Sequence, residues 1–130
     1  MIKIELPVYY NTGKKTVLVS SNFTRNAHYH ILNKLKQHYH KLVADRLKEF
    51  ETIKGQYRVS YVYYYKNSAS DGSNVVSGIE KYLLDAIQEI GLVTNDNVQY
   101  HIGSKWDVGG QDKDNPRMEV CIRCIDNEMV

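Results

Sequence analysis

Residues 56–66, QYRVSYVYYYK, are β-branched and aromatic, with a period of two in their first half. Such a run reads as a strand. Beyond the loop NSASDGSN lies an amphipathic segment whose apolar stripe, Ile79, Leu83, Ala86, Ile87 and Ile90, recurs at helical spacing. This helix is expected to begin between Ser73 and Ser77. Ser77 with Glu80 fits a capping box, and Asn74 is an alternative cap. Gly91 stops it, and residues 98–108, VQYHIGSKWDV, read as the next strand. A strand, a helix with one apolar stripe and a strand must bury their apolar faces against each other, which means helices layered on a sheet.

The rest of the chain fits that plan. MIKIELPV alternates and predicts a first strand with Pro7 near its end, and TVLVS predicts a second after the YNTGKK turn. A long helix is expected over residues 26–50, capped by Asn22 or Thr24, with Ile31, Leu35, Leu42 and Leu47 as its stripe and Tyr39 between. Lys34, Lys41 and Lys48 repeat at sevens on its other side. GGQDKDNPR predicts a hairpin-type connection into a last strand, MEVCIRCI. The expected fold is a single α+β domain over residues 1–130, a mixed β-sheet with two main helices packed on it. A chain of 130 residues can bury one core without disulfide or metal staples.

Charge distribution says more than the net +2, which is too small to announce a nucleic-acid partner. Residues 25–46 hold Arg25, Lys34, Lys36, Lys41 and Arg46 with four of the five histidines, against Asp45 alone. The C-terminal stretch is acidic, with Asp112, Asp114, Glu119, Asp126 and Glu128. One face is therefore expected to meet an anion. His28 and His30 are two apart and should diverge on a helix, as should His38 and His40, whereas a metal pair needs i,i+3 or i,i+4. Cys121 and Cys124 lie three apart on a predicted strand, on opposite faces, and no second CxxC or His pair completes a zinc set. Two unpaired thiols are expected. Five tyrosines fall in residues 56–66; stacking on unpaired bases is one reading, a half-buried sheet facing a helix the favoured one. No apolar run is long enough to span a bilayer and the N-terminus lacks a signal-peptide layout, so an intracellular, cytoplasmic protein is expected, with no membrane partner.

Two aspartates bracket the amphipathic helix. If the flanking strands are neighbours, Asp71 and Asp96 are expected at the same sheet end. Two carboxylates held close repel unless a proton or a cation intervenes, and oxygen ligands of this kind suit Mg²⁺ or Mn²⁺. Lys81 can place positive charge on a phosphate at the same edge, which gives the constellation of a metal-dependent phosphodiesterase. The same residues have an ordinary reading. Aspartate in a DG or ND pair is turn chemistry, and Lys81 with Asp85 makes a solvated i,i+4 pair.

The order D-G-S-N, then E-K-Y-L-L-D-A-I-Q-E-I-G-L-V and T-N-D-N, resembles the RusA family of Holliday-junction resolvases, endodeoxyribonucleases of phages and prophages. That family carries D-x-D-N at a helix start, a lysine, F-x-D-A-L-x-x-A-G, and a D-D or N-D pair. Asp71 and Asn74 match the first motif, Lys81 the lysine, Asp85 and Ala86 the helix motif, and Asn95 with Asp96 the last pair. SNFTRNAHYHILNKLKQHY is similar to the N-x-x-R-N-A-H-x-x-x-x-N-K-x-K segment of phage members at Asn22, Arg25, Asn26, Ala27, His28, Asn33, Lys34 and Lys36. The motifs cover most of the chain in the family's order.

The resemblance implies a phage- or prophage-encoded homodimer that binds four-way or related branched DNA and hydrolyses phosphodiesters with Mg²⁺, or Mn²⁺ in its place. It implies catalytic roles for Asp71, Asp96 and Lys81, metal binding by Asp71, Asp96, Ser73 and Asp85, and a supporting role for Asn74. Arg25, Lys34, Lys36 and Lys41 would contact DNA phosphates. The chain departs from the pattern at Ser73, where the family has a second acid, and this removes one negative charge from the metal site. A junction-binding protein with weakened or lost cleavage is therefore the alternative, and a structural α+β protein with decayed motifs a third.

Overall fold

Alternation in the first residues is realised as β1, Ile2–Pro7, whose Ile2, Ile4 and Leu6 turn inward. The computed structural model describes residues 1–125. Asp126 and Glu128 of the acidic C-terminal stretch lie outside them. After β1 the chain makes a small two-stranded ribbon, β2 (Tyr9–Asn11) with β3 (Thr16–Leu18), separate from the main sheet. The turn between them is closed by Asn11 and Thr12, with Gly13 at φ 94° where an L side chain would be strained. The expected second strand is thus half of an accessory ribbon.

The main sheet has the order β1-β6-β4-β5, with β4 at Tyr57–Tyr65, β5 at His101–Gln111 and β6 at Arg117–Cys124. β6 runs antiparallel to both β1 and β4, and β4 runs parallel to β5. The mixed sheet and the α+β class expected from the sequence are present. The hairpin is not. β4 lies between β5 and β6, so residues 112–116 cross the end of β4 instead of turning back on a neighbour. Gly109 and Gly110 belong to β5, where the register slips between Tyr63 and Tyr64. Gly110 sits at φ 137°, as a bulge in an edge strand requires. Their turn-like composition marks an irregular strand end.

Helices cover one face. Tyr57, Val59, Tyr61 and Tyr63 of β4 and Met118, Val120 and Ile122 of β6 form the buried layer beneath them. The tyrosines that alternate inward are therefore core residues, as the periodicity suggests. α3, Gly72–Glu89, buries Val75, Val76, Ile79, Tyr82, Leu83, Ala86 and Ile87, while Ile90 at its C-cap is 37 % exposed. Helix α3 starts earlier than a Ser77 capping box would place it, because Asp71 is the N-cap. Gly91 at φ 79° ends it as expected.

The expected long helix is two. α1, Ser21–Asn26, is capped by Ser20, and α2, Tyr29–Leu47, by His28. Ala27 and His28 between them are extended. No proline or glycine marks the break. It arises because α1 must dock on α3: the backbone of Ser20 and Ser21 passes directly over Gly78, where a Cβ would lie 2.7 Å from Ser20 Cα. The buried stripe of α2 is Leu35, Tyr39, Val43 and Leu47, a strict i,i+4 row, with Ile31 and Leu42 at its half-buried flank. Among the described residues no helix is long and apolar enough to cross a membrane.

Candidate functional site

At the start of α3 the sequence D-G-S-N builds a closed polar network. Asp71 Oδ1 accepts from the Ser73 N–H at 3.1 Å, from Ser73 Oγ at 2.9 Å and from the Asn74 N–H at 3.5 Å, and Oδ2 accepts from Asn74 Nδ2 at 3.2 Å. Asn74 Oδ1 accepts in turn from Ser21 Oγ at 2.7 Å, which ties α1 to the network. Gly72 lies flat against Trp106, whose ring would be 2.7 Å from a Cβ there. Both Asp71 oxygens thus accept from the first turn of α3, and Asp71 and Ser73 are both exposed.

One turn further along α3, Ser77, Gly78 and Lys81 meet Ser21, Thr24 and Arg25 of α1 around a shallow pocket of about 200 Å³. Asn74, Gly78 and Lys81 share a helix face by their i, i+4, i+7 spacing. Gly78 lets α1 approach close enough to bring Arg25 to that face. The buried Thr24 hydroxyl, 3.2 Å from Tyr82 Oη, holds α1 from beneath. Two cations from separate helices, Arg25 and Lys81, thus border one hydroxyl-lined pocket at the Asp71 end of α3.

The other acids expected there are elsewhere. Asp85 follows Asp71 by fourteen positions, roughly 20 Å along a helix, and its Oδ2 is 3.3 Å from Lys36 Nζ and 3.1 Å from His40 Nε2. It joins α2 to α3. Asp96 was expected at the same sheet end as Asp71 because the two flanking strands would be neighbours. They are neighbours, but parallel. A parallel crossover carries the chain from one sheet end to the other, so the loop of Asp96 lies at the start of β4, where Tyr57 Oη donates to the Asn95 carbonyl at 3.0 Å. Gly72, next to Asp71, by contrast packs on Trp106, five residues beyond His101 on β5, about 16 Å of extended chain.

The basic set divides likewise. Lys34 and Lys41 are exposed on the outer side of α2, whereas Lys36 is engaged with Asp85. His38 and His40 diverge, as expected. His38 packs on Tyr10, and burial followed by the charge of Arg46 lowers its pKa. His40 places both ring nitrogens 3.1 Å from carboxylates, Nε2 from Asp85 and Nδ1 from Glu89. Together with these two acids it forms the only group of three His, Cys, Asp or Glu side chains among the described residues whose ligand atoms all lie within 4.8 Å of one another. With Lys36 beside Asp85 and both nitrogens engaged, His40 of α2 bridges two acids of α3 and clamps the two helices together. His28 and His30, expected to diverge, stack instead with ring centroids 4.8 Å apart. The reason is that His28 is the extended N-cap and not a helical residue. Cys121 and Cys124 are free thiols.

Sequence reasoning missed a second polar locus, in the seam between α3 and β4. Tyr61 is 1 % exposed, and its hydroxyl and Glu80 Oε2 are both buried with no hydrogen-bond partner among the described residues. The two groups interact electrostatically, outside good hydrogen-bonding geometry. Glu80 was legible only as a capping-box acid. Tyr57 in the same seam has its pKa pushed up to about 12, by burial first and then by the charges of Asp96 and Glu80. Above the ordinary value of 10.0 the unfolded chain releases this proton while the folded chain holds it. Stability is therefore present below pH 10.0 and falls as pH rises toward about 12. Tyr57→Phe should show a smaller loss of urea midpoint between about pH 9 and about pH 11 than the parent; equal losses would contradict this assignment.

No protein-family model matches the chain, and a search of curated proteins returns no relative.

Proposed function

We propose that the protein is a metal-dependent endonuclease of branched DNA, acting on four-way junctions in phage recombination or replication, as its resemblance to the RusA family implies. The observation that supports this best is the convergence of Arg25 and Lys81 on one pocket beside the Asp71–Asn74–Ser21 network. A phosphodiester seated there would have its anionic oxygens toward two cations and two serine hydroxyls. Lys81 would stabilise the charge that develops as the bond breaks, and Arg25 would fix the phosphate in place. Lys34 and Lys41 on the outer side of α2 would contact neighbouring phosphates and add affinity without sequence choice.

The network offers oxygens to a cation, the Asp71 carboxylate and the Ser73 hydroxyl, while Asn74 turns its amide nitrogen to Asp71 and its carbonyl to Ser21. It fits Mg²⁺ or Mn²⁺, hard cations that retain water and take phosphate oxygens as further ligands. Such an ion, when bound, supplies Lewis-acid polarisation of the phosphate. Asp71 would hold it, with Ser73 as a neutral neighbour and Asn74 orienting the carboxylate. Asp85, turned to α2, has no place in this set, and Asp96 belongs to the opposite end of the crossover. A two-fold junction presents two equivalent strands, which a C2 homodimer would match.

A specific observation favours the second reading, binding without cleavage. Ser73 Oγ donates to Asp71 Oδ1, so the residue in the family's second acidic position occupies the carboxylate and adds no charge. Incubating the protein with a labelled four-way junction plus Mg²⁺, Mn²⁺ or EDTA decides between them. Nicks with either metal and none in EDTA are expected. A gel shift without nicks gives the case to binding alone, and neither shift nor nicks overturns both.

A further inference from the structure

The sheet has a second face that carries no helix among the described residues. Along β1, β6, β4 and β5 it presents Lys3, Arg123, Arg58 and Lys105, all exposed. Their positions follow from register. Lys3 pairs with Cys121, Cys121 with Ser60, and Ser60 with Lys105, so Lys3 and Lys105 end one row across the sheet. Arg58 and Arg123 stand opposite each other in the adjacent row. Three strand spacings make the row about 14 Å long.

Two features distinguish this patch from an ordinary solvated surface. The first is segregation. At the other end of the same face Arg117 is neutralised by Asp112 at 2.9 Å, Glu119 at 3.0 Å and Glu5 at 3.7 Å. Among the described residues Lys3, Arg58 and Lys105 make no ion pair. The second is the relief of the surface. Between the cations lies a concavity lined with them by Met1, Val59, Ser60, Gly103, Ser104 and Cys121. Gly103 has no side chain, and the Arg58 guanidinium occupies the space above it.

We propose that this basic half of the open sheet face binds the phosphate backbone of duplex DNA, as a contact surface distinct from the α1–α3 cleft on the helical side. A duplex strand carries one phosphate per 3.4 Å of rise, so a row of about 14 Å faces roughly four of them. Among the described residues no aromatic side chain lines the concavity between the cations. Tyr64, on the same face, lies under Arg117, 4.0 Å from its ring centroid. The patch therefore lacks the stacking platforms that single-stranded binders use. It offers charge to a backbone. The proposal rests on the DNA-binding reading above and extends it: a branched substrate has arms on more than one side of a bound protein, and this face would engage an arm that the cleft does not.

The test is fluorescence anisotropy with a labelled duplex of about 20 base pairs over a range of salt. It compares the parent, the triple variant Lys3→Ser, Arg58→Ser, Lys105→Ser, a charge-keeping triple Lys3→Arg, Arg58→Lys, Lys105→Arg, and the α2 pair Lys34→Ala, Lys41→Ala. Each lost phosphate contact should reduce the slope of log affinity against log salt by about 0.9. The serine triple is expected to lose about two to three units of slope and at least about tenfold in affinity at low salt, and the charge-keeping triple is expected to retain both. A parental slope in the serine triple, with binding reduced only in the α2 pair, overturns the sheet-face site and leaves the DNA reading standing. No duplex binding by the parent at low salt overturns both. Loss in both triples would assign the effect to structure and not to charge, and would likewise overturn the proposal.

Discussion

Gly78→Ala is expected to destabilise the protein although alanine is the better helix former. The substitution gains about 1 kcal/mol of helix propensity. The new methyl, however, would lie 2.7 Å from Ser20 Cα and from the Ser20 carbonyl carbon. These are backbone atoms and cannot rotate away, and overpacking of this kind costs about 1–3 kcal/mol or more. The easiest relief is for α1 to move off α3. That would separate Ser21 from Asn74 and Arg25 from Lys81, so cleavage should fall by more than the stability change explains. Urea unfolding and junction nicking on the same preparation check this. A Gly78→Ala protein that is more stable than the parent and fully active would contradict the close docking of α1.

Lys81→Ala should separate catalysis from binding. Removing one group aimed at developing charge typically costs about 10²–10³ in rate. One phosphate contact among several costs much less affinity. Nicking is therefore expected to drop about a hundredfold or more while the junction Kd changes by less than about tenfold, and Lys81→Arg should recover part of the rate. Lys81 is exposed, so folding should be unaffected. Equal losses in rate and affinity would make Lys81 a DNA contact and nothing more.

The elements were largely legible because each has its own period. β1, β4 and α3 follow from alternation or from apolar residues at helical spacing, and Gly91 marks the helix end. Their arrangement was not, because a period says which face is buried and not which element covers it. Nothing local in residues 98–108 distinguishes a parallel edge strand from one arm of a hairpin, and the whole placement of Asp96 depends on that difference. The break at Ala27–His28 was hidden for the same reason. Every residue there tolerates a helix, and the contact that forces the turn is with Gly78, fifty positions away. Asp71, Ser73, Asn74 and Lys81 stand out in the sequence as motif residues, while the cleft joining Arg25 to Lys81 is visible only in the fold. Asp85 illustrates the reverse: its motif singled it out, but Lys36 and His40 decide what it touches.

The central claim is that Asp71 holds a catalytic metal beside the Arg25–Lys81 pocket. It is tested most directly by nicking of a four-way junction against Mg²⁺ concentration for the parent, Asp71→Asn and Ser73→Asp. Asparagine also caps helices well, so Asp71→Asn should keep the fold and lose one charge. Ser73→Asp replaces the hydroxyl now donated to Asp71 with a second carboxylate, and two adjacent carboxylates favour a cation between them. The account predicts weak parental nicking, none for Asp71→Asn, and nicking by Ser73→Asp that saturates at lower Mg²⁺ than the parent requires. Parental nicking that Asp71→Asn leaves unchanged would contradict it.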